Sequence, residues 1–153
     1  MDSSNVAYIM VGAPGSGKST FAKGLADKGA VVICGDEIRK ELYGNADIQG
    51  NWVEIHERIV EMVEDNIGKP LVMDGTHYRA QYRKETLALL NSYGYTNVTA
   101  VVVNPPLETC LAQNAARDRK VPEHVITKMH SSLQASLRGI DSEGFTMVKY
   151  PDS

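Results

Sequence analysis

The sequence has few cysteines and no strong excess of either charge. Cys34 and Cys110 are its two cysteines, and they lie far apart without a C-x-x-C motif. This spacing favours two buried free thiols in a reducing compartment over a disulfide framework. The formal net charge of −3 argues against a protein that coats nucleic acid through bulk positive charge.

Long apolar runs are also missing. No stretch reaches the ~20 apolar residues of a membrane helix, and Met1–Met10 lacks the basic start of a signal peptide. We therefore expect a cytoplasmic protein that makes no membrane contact. Hydrophobic residues make up 42% of the 153 residues, which suits one domain, residues 1–153, with its own core.

Short apolar segments alternate with helical patterns along the chain. The segments with strand character are 6–11, 30–34, 71–73, 98–103 and 145–150. Between them, apolar residues recur at helical spacing, most clearly in Trp52–Ile67. This alternation predicts an α/β fold with a parallel sheet that is covered by helices on both faces.

One motif carries a specific chemistry. Residues 12–19 fit G-x-x-x-x-G-K-[ST] between a predicted strand and a predicted helix. The motif consists of Gly12, Ala13, Pro14, Gly15, Ser16, Gly17, Lys18 and Ser19. Its glycines allow main-chain amides to point at phosphate, and the next helix adds its positive end. The motif thus predicts a site for a nucleoside triphosphate with Mg²⁺, used for catalysis or for binding alone.

Side chains of this motif have distinct expected tasks. We expect Lys18 to reach the β- and γ-phosphates and the Ser19 hydroxyl to bind Mg²⁺. Thr20 is expected to cap the helix or to contact the α-phosphate.

Two aspartates follow the second and third predicted strands, where open parallel sheets bind ligands. Asp36 is suited to accept the proton of an acceptor hydroxyl, although an aspartate here also suits a helix N-cap. Arg39 lies three residues later on the same helical face and is suited to an anionic group of the acceptor, or to solvent. Asp74 is suited to Mg²⁺ or its water shell, or to a turn.

A basic turn joins the last two predicted helices. It contains Arg117, Asp118, Arg119 and Lys120 within a candidate lid at residues 113–122. Arginines in such a lid bind two phosphate oxygens at once and supply charge to the transition state. The pattern alone fits an ordinary solvated turn equally well.

Four segments together resemble the kinase domain of bacteriophage and bacterial polynucleotide 5′-hydroxyl kinases. The segments are Gly12–Thr20, Gly35–Arg39, Val72–His77 and Asn114–Pro122. The resemblance implies ATP as the donor, Mg²⁺ as the cofactor and the 5′-OH end of DNA or RNA as the acceptor. It also implies a three-layer, adenylate-kinase-like P-loop fold with a five-stranded, mostly parallel sheet.

The resemblance implies roles for individual residues. Asp36 would be the general base, Lys18 and Arg117 would act on the donor phosphates, and Arg119 would assist them. Residues expected on the acceptor side are Asp36, Arg39, Asp74, Thr76, His77 and Arg83.

Two positions depart from the family pattern. His77 stands where such kinases often have asparagine, and Gln113 stands where some relatives carry arginine. A neutral imidazole still accepts or donates a hydrogen bond. Together with the acidic net charge, these departures keep open a small-molecule or modified-base kinase, and a non-catalytic nucleotide-binding module is a third hypothesis. Tyr43 and Trp52 are candidates to stack on a base or to pack in the core.

Overall fold

The computed structural model describes residues 5–151. The strands are β1 (Val6–Val11), β2 (Val31–Cys34), β3 (Leu71–Asp74), β4 (Asn97–Val102) and β5 (Met147–Lys149). They form one five-stranded sheet in the order β2-β3-β1-β4-β5, and every neighbouring pair is parallel. The predicted α/β fold with five strands is confirmed.

Helices connect the strands. They are α1 (Lys18–Asp27), α2 (Gly35–Tyr43), α3 (Trp52–Asp65), α4 (Ala80–Ser92), α5 (Leu107–Ala115) and α6 (Glu123–Leu137). A short 3₁₀ helix, Ile140–Ser142, precedes β5. Most bounds differ from the predicted ones by one or two residues, as helix ends commonly do.

Both faces of the sheet are covered, which confirms the three layers. Successive side chains of β1 point to opposite faces. Ile9 belongs to the larger core, which includes residues of α2, α3, α4 and α6. Met10 belongs to a second core that contains Ala22 of α1. Burial of such a side chain contributes about 1.5–3 kcal/mol, so both layers stabilise the position of the sheet.

The order of the strands brings three loops together. β3 lies between β2 and β1, and Asp74 is paired in register with Cys34. The loop after β1 is attached to the loop after β3, because the Gly12 amide donates to the Thr76 carbonyl over 3.0 Å. Residues that follow β1, β2 and β3 therefore meet at one edge of the sheet.

Two further expectations concern thiols and membranes. Cys34 is half-buried, Cys110 is buried, and both are free thiols in the part of the chain that the structure describes. The prediction of free cysteines is confirmed, although Cys34 is less buried than expected. Within residues 5–151, no helix combines the length and apolar character needed to cross a membrane.

Candidate active site

Residues 12–17, here called the phosphate loop, form a tight turn with little room for side chains. Gly15 has a φ of 83°, and a Cβ added there would meet the carbonyl oxygen of Cys110. A Cβ at Gly12 would lie 2.7 Å from the carbonyl oxygen of Val103. Glycine is therefore required at both positions. A side chain would push the loop away from Val103, which follows β4, or from Cys110 of α5.

The loop has donors to offer a ligand. Gly17, with a φ of 96°, is the N-cap residue of α1 and has no side chain to bind the first amides of the helix. The Ser16 hydroxyl is buried and finds no hydrogen-bond partner among residues 5–151. Buried polar atoms without partners are rare in folded proteins. This arrangement fits a polyanion such as a triphosphate.

Lys18 and Asp74 lie within electrostatic reach of each other. Burial lowers the pKa of Lys18, the charge of Asp74 opposes that shift, and Arg117 adds to it. Burial raises the pKa of Asp74, Lys18 opposes this, and Asp36 adds to it. The structure thus brings Lys18, Asp74, Asp36 and Arg117 around one site.

Asp36 lies in the first turn of α2 but does not cap it. The N-cap residue is Cys34, and this helix start has no side-chain cap within the described chain. The Asp36 carboxylate is about half exposed and accepts from Arg39 Nη1 and Arg119 Nη1, each over 3.3 Å. The carboxylate is therefore available at the site, which favours the acceptor-side interpretation over the N-cap.

Arg39 is held beside Asp36 rather than projecting into solvent. Its side chain is 20% exposed, and its Nε is buried with no hydrogen-bond partner in residues 5–151. An unpaired buried donor costs about 1–3 kcal/mol, and an anionic oxygen of a ligand would offset that cost.

The side chain of Asn114 joins the two ends of the lid. Asn114 is 3% exposed, and its Nδ2 donates to the Val121 carbonyl over 2.8 Å. Its Oδ1 accepts from the Val121 amide over 2.9 Å. These two bonds form a bracket that encloses residues 115–120. The sequence analysis included Asn114 in the resembling segment Asn114–Pro122 but assigned it no role.

The two lid arginines point to different places. Arg117 lies beyond the end of α5 and is exposed. Arg119 Nε donates to Asp47 Oδ1 over 2.7 Å, and its Nη1 donates to Asp36 Oδ2 over 3.3 Å. Asp36 and Asp47 hold the guanidinium of Arg119 here, and its expected contact with donor phosphates stays a prediction.

The structure corrects the prediction that Arg83 contacts the acceptor. Its side chain is fully buried and donates to both carboxylate oxygens of Glu143 over 2.7 Å. It also donates to the His77 carbonyl over 3.0 Å and to Ser136. All three guanidinium nitrogens are used inside the protein, so Arg83 joins α4, α6 and the segment before β5.

The structure also corrects the expected role of His77. His77 Nδ1 lies 2.8 Å from the Met10 carbonyl and Nε2 lies 3.2 Å from Thr86 Oγ1. A carbonyl only accepts, so Nδ1 carries the proton and Nε2 accepts from Thr86. Burial lowers the pKa of His77 to about 4, so the ring is neutral. His77 therefore ties its loop to β1 and α4, whereas the acceptor role of the Thr76 side chain stays a prediction.

The two aromatic candidates differ as well. The Tyr43 hydroxyl accepts from the Asn51 amide over 3.0 Å, and its ring packs where a Cβ on Gly50 would lie. Tyr43 therefore fixes the loop between α2 and α3. Trp52 is 58% exposed in the first turn of α3, so it stays a candidate for stacking on a base.

Comparisons with known proteins agree with this fold. Residues 8–136 match the family model described as an AAA domain. L-seryl-tRNA(Sec) kinase of Methanococcus maripaludis is 26% identical over 136 residues, which are 80% of this chain and 50% of that protein. The chain thus spans about half the length of this curated relative.

Solved structures share the fold. A chain in the Pnkp1/Rnl/Hen1 RNA repair complex superposes with a TM-score of 0.76 at 21% identity, over 87% of this chain and 45% of that one. A gluconokinase from Sinorhizobium meliloti 1021 superposes with a TM-score of 0.53 at 18% identity, over 95% of this chain and 81% of that one.

The relatives support a kinase but differ in substrate. The resemblance to polynucleotide kinases is confirmed for the fold, while the acceptor is not settled by these matches. Because the family model covers most of the chain, the protein belongs to the AAA domain family, and its fold is that of P-loop kinases.

Proposed function

We propose that the protein transfers the γ-phosphoryl group of ATP to a hydroxyl, and that this hydroxyl is the 5′-OH of a DNA or RNA end. The pair formed by Asp36 and Arg39 carries the proposal. A half-exposed carboxylate stands beside a buried, unpartnered guanidinium nitrogen at the edge of the sheet that holds the phosphate loop. A nucleotide at a 5′ end offers both an alcohol and, on its 3′ side, a phosphate.

The donor side supports the same reaction. Lys18 and the amides of the phosphate loop would bind the β- and γ-phosphates, with Thr20 near the α-phosphate and Arg117 supplying charge as the phosphoryl group moves. When bound, Mg²⁺ would neutralise phosphate oxygens, held by the Ser19 hydroxyl and, through water, by Asp74. Within residues 5–151 no group of three or more His, Cys, Asp or Glu side chains is placed to hold a metal. That arrangement suits Mg²⁺, which keeps water and substrate phosphates as ligands.

The acceptor side supports a general base. The 5′-OH would sit against the Asp36 carboxylate, which takes its proton as the oxygen attacks in line with the leaving ADP. Arg39 would hold the 3′ phosphate of that nucleotide through its free Nε. Such positioning accounts for much of the catalysis in phosphoryl transfer, because little covalent help is required.

One observation favours a second candidate, a small-molecule kinase. A groove of about 410 Å³ between α2 and α3 is lined by Glu41, Leu42, Glu54, Glu57, Arg58 and Glu61. Its four glutamates would repel a long polyanion that crossed this face. A polynucleotide would have to leave Asp36 in another direction, whereas a small neutral acceptor would not be affected.

The test is an acceptor panel with γ-labelled ATP and Mg²⁺. The panel contains 5′-OH DNA and RNA oligonucleotides, nucleoside 3′-monophosphates, free nucleosides and neutral polyols such as glycerol. We expect label on the oligonucleotides and the 3′-monophosphates, because both combine an alcohol with an anion for Arg39. Label on polyols or nucleosides alone would contradict the proposed acceptor.

The role of Asp36 is tested in the same assay. Asp36→Asn should slow transfer by about a thousandfold, within the range of a lost general base, while nucleotide affinity stays nearly unchanged. Glu37→Gln is the matched control, since it removes a carboxylate from the adjacent, exposed position of α2. Equal rates in the two variants would show that Asp36 is not the general base.

A further inference from the structure

The lid is attached to the acceptor side of the site through a single arginine. Arg119 Nε donates to Asp47 over 2.7 Å, and Arg119 Nη1 donates to Asp36 over 3.3 Å. The two carboxylates lie 72 and 83 residues away in the sequence. One belongs to the loop between α2 and α3 and the other belongs to α2, so the contact closes the lid onto two separate segments.

Both sides of this contact are fixed by other bonds. The Asp47 amide donates to Asn45 Oδ1 over 2.8 Å, which shapes the turn that presents its carboxylate. The far end of the same loop is held by Tyr43, whose hydroxyl accepts from Asn51. On the lid, Asn114 brackets residues 115–120. The geometry of the contact is therefore set before any ligand binds, which lowers the entropy that the ion pair must offset.

The contact occupies groups that Arg119 and Asp36 would both need in the proposed reaction. While Arg119 is bonded to Asp36, it occupies one oxygen of the proposed base. While it is bonded to Asp47 as well, two of its nitrogens are unavailable to the donor. A triphosphate carries more negative charge than these aspartates and binds arginine through two oxygens. It would therefore draw Arg119 away and release Asp36 in the same movement.

We infer that Asp47 is a positioning residue that holds Arg119 on the acceptor side until the nucleotide binds. The contact occupies one carboxylate oxygen of Asp36 until the nucleotide binds and couples the release of that oxygen to arrival of the donor. The part that concerns Asp36 rests on the proposed function. The part that concerns Asp47 and Arg119 needs only nucleotide binding.

The inference predicts that a substitution which removes an ion pair tightens nucleotide binding. Asp47→Asn should tighten binding of a non-hydrolysable ATP analogue with Mg²⁺, because Arg119 then loses one of the two carboxylates that hold it. An exposed ion pair is worth up to about 1 kcal/mol, so the expected gain is about threefold to fivefold. Arg119→Ala should weaken binding, and in that background Asp47→Asn should have no effect. Calorimetric titration of the four proteins gives the four dissociation constants.

A matched control separates the contact from bulk charge. Asp118→Asn removes the same charge from the residue next to Arg119, and Asp118 forms no ion pair in the described part of the chain. It should tighten binding less than Asp47→Asn does. Equal gains in the two variants, weaker binding by Asp47→Asn, or a gain that persists in the Arg119→Ala background would each overturn the inference.

This experiment and the acceptor panel can fail separately. The titrations involve no acceptor and no transfer, so a panel without labelled oligonucleotides leaves their pattern intact and refutes only the proposed acceptor. Transfer kinetics add a second readout. In a protein that transfers phosphate, Asp47→Asn should lower the KM for ATP while kcat stays within about twofold, since the base and the cradle are unchanged.

Discussion

The phosphate loop and the rim of the site are held in place in different ways. The phosphate loop and Arg83 are largely buried, His77 is half-buried, and the two supporting side chains bond to main-chain atoms or to side chains inside the protein. The rim consists of charged side chains that are partly or fully exposed, namely Asp36, Arg39, Asp47, Arg117 and Arg119. Side chains of the first region bond to atoms inside the protein, whereas charged side chains of the rim have partners that a ligand can replace.

The difference follows from the cost of breaking each contact. Loss of one partner of a buried ion pair costs about 3–5 kcal/mol, whereas an exposed pair contributes about 0–1 kcal/mol. Changes to the supports should therefore alter folding or abolish binding. Changes to the rim should leave folding intact and alter how ligands bind.

The largest expected effect concerns two arginines that both form ion pairs. Arg83→Met should lower the free energy of unfolding by about 3–5 kcal/mol, because Glu143 keeps a buried charge without its partner. Arg58→Met is the control, since Arg58 pairs with the exposed Glu41 and Glu61, and should cost less than about 1 kcal/mol. Urea unfolding measures both, and equal losses would contradict the contrast between buried and exposed regions.

Two glycines provide the next comparison. Gly15→Ala should weaken binding of the ATP analogue about a hundredfold, because a left-handed alanine costs about 1–2 kcal/mol and its Cβ must also displace Cys110. Gly24→Ala is the control, because it lies inside α1 with no atom within 4 Å of an added Cβ. It should leave affinity unchanged and stabilise the fold by about 0.5–1 kcal/mol. Unchanged affinity in Gly15→Ala would mean that the loop is not the cradle.

Acid should weaken the same buried region through His77. Its pKa is lowered from 6.5 to about 4, so the unfolded chain binds more protons between these values. Stability from the neutral ring is present above pH 6.5 and is lost as the pH falls towards 4, by on the order of 2 kcal/mol between pH 7.5 and 5. His77→Asn should remove that loss, and asparagine tolerates the φ of 45° at this position.

Urea unfolding at the two pH values measures the effect. His124→Asn serves as the control because His124 is exposed. A pH dependence of unfolding that is identical in the parent and in His77→Asn would show that the ring is not kept neutral by its surroundings.

The smallest expected effect lies in the rim. Arg39→Ala should raise the KM for a 5′-OH oligonucleotide about tenfold, because it removes one hydrogen bond between charged groups. It should change the KM for ATP much less. Lys40→Ala, at the next and exposed position of α2, should change neither. Equal effects of Arg39→Ala on both substrates would point to an acceptor without an anionic group. Unfolding curves should coincide with those of the parent protein.

Local patterns predicted much of the fold and of the donor side. β1 has the predicted bounds because six residues of strand character end at Gly12, where the turn requires glycine. The spacing after β2 predicted that Asp36 and Arg39 lie together on α2, as they do, while their roles stay predictions. α5 ends at Ala115, one residue after Asn114, whose side chain bonds to Val121 seven residues further along the chain.

Long-range pairs could not be predicted from a single sequence. Arg83 and Glu143 are 60 residues apart, and no local pattern marks either as the partner of the other. The same holds for Arg119 and Asp47, whose contact depends on two loop conformations. Arg83 was therefore assigned to the acceptor, and the bonds of Arg119 to Asp36 and Asp47 were not predicted, because distant carboxylates set both positions.

The Asn114 bracket has a consequence for how such a protein diversifies. Because the Asn114 side chain bonds to Val121 directly, the two ends of the lid are joined without a contribution from residues 116–120. Insertions, deletions and charge reversals within residues 116–120 of the lid would leave the fold unchanged. We expect relatives with the same bracket to vary most there, so that selectivity evolves by exchanging one short surface segment.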